Sequence, residues 1–140
     1  MKIKTCSTFE TENLGEKLSK KLKGNEIIAL YGDLGVGKTH LTKGICKGLN
    51  VLEDVLSPTF SIVNEYNGKY KIYHFDMYRI KTMDDLYSIG FFDYLGNGIL
   101  IIEWSENISE ILPKNTIKIK IEYSIKENER IITFKGVQSL

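Results

Sequence analysis

Apolar residues change their spacing along the chain, and each spacing predicts a different element. Leu14, Leu18 and Leu22 recur every four positions and predict a helix with one buried face. Ser7 and Glu10 frame its start as a capping box, whose hydroxyl and carboxylate satisfy orphan amides of the first turn, and Gly24 predicts its stop. Residues 26–31 form a short, almost wholly apolar run, the pattern of a central strand covered on both faces. Glycines crowd residues 32–37, and Leu41, Ile45 and Leu49 then predict a second helix over residues 38–49. Beyond Pro58 the period falls to two. Phe60, Ile62 and Asn64 fall on one face, and a second run follows over residues 70–75. Asn67-Gly68 between them is the favoured two-residue hairpin turn, so the runs are expected to pair antiparallel. Thr82, with Asp84 and Asp85 behind it, predicts a short capped helix over residues 82–87. Residues 98–103 are another buried-strand run, ending in Glu103, and residues 116–123 and 130–134 alternate as two more strands. Helices interleaved with apolar strands, followed by alternating strands, predict an α/β fold with a mixed central sheet and helices on its faces.

Composition narrows the function. At 140 residues the chain fits one domain. Its net charge of +1 excludes a global field aimed at nucleic acid or an acidic membrane. The charge is nevertheless segregated: 9 basic and 5 acidic groups in residues 1–50, 4 and 10 in residues 51–113, and 6 and 3 in residues 114–140. The acidic middle fits a solvated face or a metal site. No apolar run approaches the 18 residues of a membrane span, and the start lacks the apolar segment of a secretory signal, so a cytoplasmic location is expected. In that reducing compartment Cys6 and Cys46, which have no metal-ligand spacing, are expected to be small buried apolar groups. Only Arg79 and Arg130 supply guanidinium groups.

The segment Gly32-Asp33-Leu34-Gly35-Val36-Gly37-Lys38-Thr39 matches the eight-residue phosphate-loop pattern throughout. Glycines let successive amides turn inward around a phosphate, and the following helix points its positive end at the same charge. Lys38 is expected to reach the β- and γ-phosphates from an exposed position at the loop mouth, and Thr39 to hold Mg²⁺. The loop together with His40 is therefore the expected nucleotide contact. Guanine-reading enzymes carry an Asn-Lys-x-Asp element, which this chain lacks, and Asp93-Tyr94-Leu95-Gly96 reads as a turn. Small-molecule kinases close an arginine-bearing lid, for which two arginines leave little material. A minimal ATP-binding domain remains, and ATP hydrolysis, a non-hydrolysing switch or, less readily, a kinase would use it.

Several side chains have two readings. Asp76 ends an apolar run, where it either holds Mg²⁺ or its water or caps the strand. Glu103 ends the most apolar run, a costly place for a carboxylate unless a cation or donor meets it. Trp104 fills the core or rims the nucleotide pocket, and His74 is a core histidine or a member of the site. Arg79 pairs with Asp84 or Asp85 or contacts phosphate. Thr59 lies in the loop where phosphate-loop proteins keep a γ-phosphate switch.

Five segments in order carry a resemblance: the loop above, Ser57-Pro58-Thr59-Phe60, His74-Phe75-Asp76-Met77-Tyr78-Arg79, Gly90-Phe91-Phe92-Asp93-Tyr94-Leu95, and Glu103-Trp104-Ser105-Glu106. With these motifs the chain resembles the TsaE (YjeE) family of bacterial tRNA threonylcarbamoyladenosine biosynthesis, from about Ser7 to Tyr123. Val36 and Ser105 depart from the family's usual Ala and Pro. The resemblance implies a phosphate-loop fold that binds ATP and Mg²⁺ and places Thr11 near the nucleotide base. It also implies a partnership with the TsaB–TsaD pair, which attaches threonylcarbamoyl to adenosine 37 of tRNAs reading codons that begin with A. The family member supplies ATP hydrolysis and does not transfer the group itself. On this reading Lys38, Asp76 and Glu103 are catalytic, and Thr39, Glu103 and Asp76 hold the metal; because Glu103 closes the apolar central run 99–102, it is expected ahead of Asp76 as the direct carboxylate.

Overall fold

The computed structural model describes residues 1–59 and 61–140. Phe60, assigned above to a strand face, lies outside the described residues. The described strands are β1 (Lys2–Thr5), β2 (Ile27–Tyr31), β3 (Val63–Asn67), β4 (Lys71–Asp76), β5 (Ile99–Glu103), β6 (Ile117–Tyr123) and β7 (Arg130–Lys135). The helices are α1 (Thr8–Ser19), α2 (Lys38–Gly48), α3 (Met83–Ser88) and α4 (Phe91–Tyr94). The strands form one mixed sheet in the order β1-β7-β6-β2-β5-β4-β3. Its centre, β6-β2-β5-β4, is parallel, which explains why β2 and β5 read as unbroken apolar runs. The outer pairs β1–β7, β6–β7 and β3–β4 are antiparallel. No helix among the described residues is long and apolar enough to cross a membrane.

Two apolar layers cover the sheet. Leu14, Leu18 and Leu22 join Leu41, Ile45 and Leu49 and the residues Ile72, Ile99 and Ile101 on one face. Tyr73, Phe75, Leu100 and Ile102 face the other way, against Leu86 and Phe91. Strand alternation therefore puts His74, Asp76 and Glu103 on the face shared with α2. The two longer helices meet through glycine: a Cβ on Gly44 would stand 2.0 Å from the Glu12 carbonyl oxygen, so only a residue without one fits this crossing.

Several expectations are corrected. α1 ends at Ser19, short of Gly24, because the Lys20 and Lys21 amides close the last turn by donating hydrogen bonds to the Lys17 and Leu18 carbonyls. Its cap is shifted too: Ser7 Oγ accepts the Glu10 amide at 3.0 Å, but the Glu10 carboxylate accepts the amide of Cys6 at 3.2 Å, one residue before the cap. The hairpin turn holds three residues, since Asn67 still pairs with Lys71. The cause is packing. The Lys69 amide reaches the Leu49 carbonyl at the end of α2, and a Cβ on Gly68 would lie 2.2 Å from that oxygen. Ile62 has φ 70°, so the period-two pattern begins at Val63, after this bend. Asp93 and Tyr94 belong to the one-turn helix α4 and only Leu95 and Gly96 follow it as turn. Cys46 is buried, its thiol pushed up to about 12 chiefly by burial, whereas Cys6 is exposed.

Candidate phosphate-binding site

Residues 32–37 bend at the carboxyl end of β2, and α2 starts at Lys38 with Gly37 as its cap. Gly32 and Gly37 have φ values of 145° and 124°, conformations that L side chains rarely adopt. The bend aims the start of α2 into a cleft of about 290 Å³ at the edge of the sheet where β2, β4 and β5 end. Open α/β sheets bind their ligands at this edge. Leu34, Gly35, Gly37, Lys38, Thr39, His40, Ser57, Thr59, Asp76, Glu103 and Trp104 line the cleft.

The charged groups reach it from three elements. Asp76 and Glu103 are register partners on adjacent parallel strands, so both carboxylates stand at one level. Thr39, in the first turn of α2, directs its hydroxyl between the two Glu103 oxygens, 3.4 Å from each. His74, two residues below Asp76 and fully buried, bonds through Nε2 to Glu103 Oε2 at 2.5 Å. The donor that a buried carboxylate requires is therefore an imidazole, and His74 serves Glu103 directly. His74 Nδ1 is buried with no hydrogen-bond partner among the described residues. Asp76 Oδ1 accepts the Tyr78 amide at 2.8 Å, which holds the carboxylate at the strand end.

Lys38 is not exposed at the mouth, as expected from its place in the loop, but retains only 5% exposure. Its ammonium donates to the carbonyls of Gly32 and Asp33 and lies 4.2 Å from the centre of the Trp104 ring. Burial lowers its pKa, and the negative charges of Glu103, Glu106, Asp33 and Asp76 oppose that shift. Trp104 thus rims the site, and it does so in the left-handed conformation (φ 59°, ψ 42°), which directs the chain from β5 across the cleft. Glu106, the last residue of its motif, accepts the Gly32 amide at 3.1 Å.

The remaining candidates divide. Val36 and Thr11 border a second cleft of about 130 Å³, together with Gly35, Gly37 and His40. Thr11 is buried and its hydroxyl bonds to the Ser7 carbonyl and to Thr5 Oγ1. That is the helix-start role, beside the cleft. His40 Nδ1 bonds to Glu12 on α1 at 3.0 Å, tying the start of α2 to its neighbour. Gly32 and Asp33 contribute the carbonyls that hold Lys38. Arg79 is exposed.

Two residues at the site escaped the sequence reading. Tyr123 Oη donates to the Leu34 carbonyl at 2.8 Å, and Arg130 Nε donates to the Val36 carbonyl at 2.9 Å. Neither belongs to a motif. The scarcity of arginine was the one signal that could have drawn attention to Arg130.

The donor set suits a hard divalent cation. A hydroxyl and two carboxylates face the cleft, while no group of three or more His, Cys, Asp or Glu among the described residues forms a complete cage. Mg²⁺ is held in this way, by one or two carboxylates that leave places for phosphate oxygens and water.

Residues 5–132 match the family described as threonylcarbamoyl adenosine biosynthesis protein TsaE. The Bacillus subtilis protein named tRNA threonylcarbamoyladenosine biosynthesis protein TsaE is 37% identical over 139 residues, covering 98% of this chain and 86% of the relative. The protein of the same name from Haemophilus influenzae is 42% identical over 123 residues, covering 82% and 77%. The crystal structure of Bacillus subtilis YdiB superposes with a TM-score of 0.78 at 35% identity, over 96% of this chain and 83% of that one. Matched over nearly its whole length in sequence and in fold, the chain belongs to the TsaE family of threonylcarbamoyl adenosine biosynthesis proteins.

Proposed function

We propose that this protein is a cytoplasmic Mg²⁺-dependent ATPase that supports the TsaB–TsaD pair in forming N6-threonylcarbamoyladenosine at position 37 of tRNAs reading codons that begin with A. The observation that carries the reading is convergence. Lys38 and Thr39 from the start of α2, Asp76 from the end of β4 and Glu103 from the end of β5 line a single cleft beneath a glycine-rich loop. Phosphoryl transfer needs little else from a protein than such positioning and electrostatic stabilisation.

Each residue has a task set by its surroundings. The amides of Gly35 and Gly37 and the positive end of α2 hold phosphate oxygens. Lys38, which donates to the Gly32 and Asp33 carbonyls, turns to the β- and γ-phosphates and stabilises the charge that gathers as the terminal bond breaks. Thr39 and Glu103 would hold Mg²⁺, which when bound neutralises charge on the β- and γ-oxygens. His74 keeps the Glu103 carboxylate turned towards Thr39. Asp76 orients a water. Attack by water oxygen on the γ-phosphorus breaks the bond to the bridging oxygen and yields ADP and inorganic phosphate.

The deciding experiment is an ATPase assay with and without the TsaB–TsaD complex, scoring tRNA modification in the same tube. Multiple turnover of ATP coupled to modification is the expected result. ATP binding that alters partner affinity without turnover would replace it with a nucleotide switch. Labelled phosphate on an acceptor other than water would make the protein a kinase.

A further inference from the structure

We propose that Tyr123 and Arg130 are positioning residues for the phosphate loop: a brace at the end of the β6–β7 ladder that aims the loop's amides from behind. The inference rests on the nucleotide-binding reading above. Within one planar peptide unit the carbonyl and the following amide point in opposite directions. A loop that turns the Gly35 and Gly37 amides inward must therefore turn the preceding Leu34 and Val36 carbonyls outward, where they need donors. Tyr123 Oη supplies one to Leu34, and Arg130 Nε supplies one to Val36. Fixing those two carbonyls fixes the N–H groups of Gly35 and Gly37, the two loop glycines that line the cleft.

The brace is itself held. Tyr123 and Arg130 are register partners, the last pair of the antiparallel ladder. The guanidinium lies 4.6 Å from the centre of the Tyr123 ring, a cation–π arrangement. Arg130 Nη1 also donates to the carbonyls of Glu127 at 2.7 Å and Glu129 at 3.0 Å, so the turn between the strands locks the guanidinium fork. Tyr123 is 50% exposed, so loss of its hydroxyl opens no core. Neither residue lines the main cleft, but Arg130 borders the smaller one beside it, and the test separates bracing from direct nucleoside contact.

The test compares wild type with Tyr123→Phe, Arg130→Lys and Arg130→Gln. It reads ADP and AMP affinity by calorimetry, thermal midpoint, and the Gly35 and Gly37 amide resonances of the protein without nucleotide. ADP affinity is expected to fall about five- to tenfold in Tyr123→Phe and Arg130→Gln, in line with one positioning hydrogen bond each. AMP affinity should change less than twofold, the thermal midpoint should stay near wild type, and both glycine resonances should shift. Arg130→Lys should resemble Arg130→Gln, because a point charge does not replace the fork. Unchanged ADP affinity with unmoved glycine resonances would overturn the brace. Equal loss of AMP and ADP affinity would also overturn it, in favour of a nucleoside contact. Failure of the wild type to bind ADP would sink the ATPase reading instead. The glycine resonances then still decide the brace, shifted in its favour or unmoved against it.

Discussion

Lys38 and His74 are the two side chains whose surroundings say most about their work. Lys38 sits between backbone carbonyls and the Trp104 face, so truncation removes a cation from the phosphate cleft but little apolar packing. Lys38→Ala should lower ATP turnover at least about 100-fold, the scale of losing one transition-state charge contact. Its far-ultraviolet circular dichroism should remain that of the wild type. Turnover near normal in the folded variant would defeat the phosphate-loop assignment. His74 bonds to Glu103, and in the proposed mechanism it acts through that carboxylate. Replacing a group that orients a metal-holding ligand costs about 10- to 100-fold in metal affinity. His74→Gln should therefore raise the Mg²⁺ concentration for half-maximal turnover by that factor, while ADP affinity measured in chelator stays within twofold. A variant with unaltered Mg²⁺ dependence would reduce His74 to a core residue.

Helix α3 and the α1–α2 crossing carry the predictions at the scale of elements. Asp85 accepts the amides of Lys81 and Thr82, the Lys81 bond foremost, and these hold its carboxyl below its ordinary pKa of 3.8. A carboxylate with a lowered folded pKa stabilises the fold above the unfolded value and loses that contribution as pH falls through the folded one. The protection of α3 amides, measured as their exchange rate against the free-peptide rate at the same pH, should therefore fall below about pH 3.8 in the wild type. In Asp85→Asn that protection should already be lower at neutral pH and change less on acidification. Gly44→Ala places a methyl group against the Glu12 carbonyl and should cost about 1–3 kcal/mol in urea unfolding, because two packed helices must separate. An unaltered midpoint would show that the crossing is loose. The same elements explain what the sequence disclosed. β2 and β5 were legible because strands buried on both faces must be apolar throughout, and α1 and α2 because each buries a single stripe. β1 was not: Lys2 and Lys4 alternate with Ile3 in an edge strand only four residues long, too short to establish a period. The three-residue hairpin turn was not either, since its form depends on Leu49, distant in sequence. Within the site, the loop and the carboxylates at strand ends were legible from local motifs. The contacts from His74, Tyr123 and Arg130 depend on strand register, which no local pattern encodes.

For the molecule as a whole, the main cleft has lysine, histidine and two carboxylates on its described walls and no arginine. Phosphate-loop enzymes without such a group in place gain about 10³–10⁵ in rate when a partner supplies it. ATP turnover by the isolated chain should accordingly be slow and rise at least about 10³-fold with TsaB–TsaD, measured as phosphate release at saturating ATP. A free protein already working at the rate of the complex would refute this dependence. The order of strands has a further consequence, in time as well as space. Ile28 of β2 stands between Ile101 of β5 and Ile117 of β6, so the strand that launches the phosphate loop gains its neighbours from the far end of the chain. Closing such long loops comes before any contact rewards it, and sheets of this kind fold slowly. A ribosome that has finished the eight residues of the loop must translate most of the remaining chain before the strands beside them exist. The most compact motif in the sequence thus waits on distant strands for the sheet that holds it.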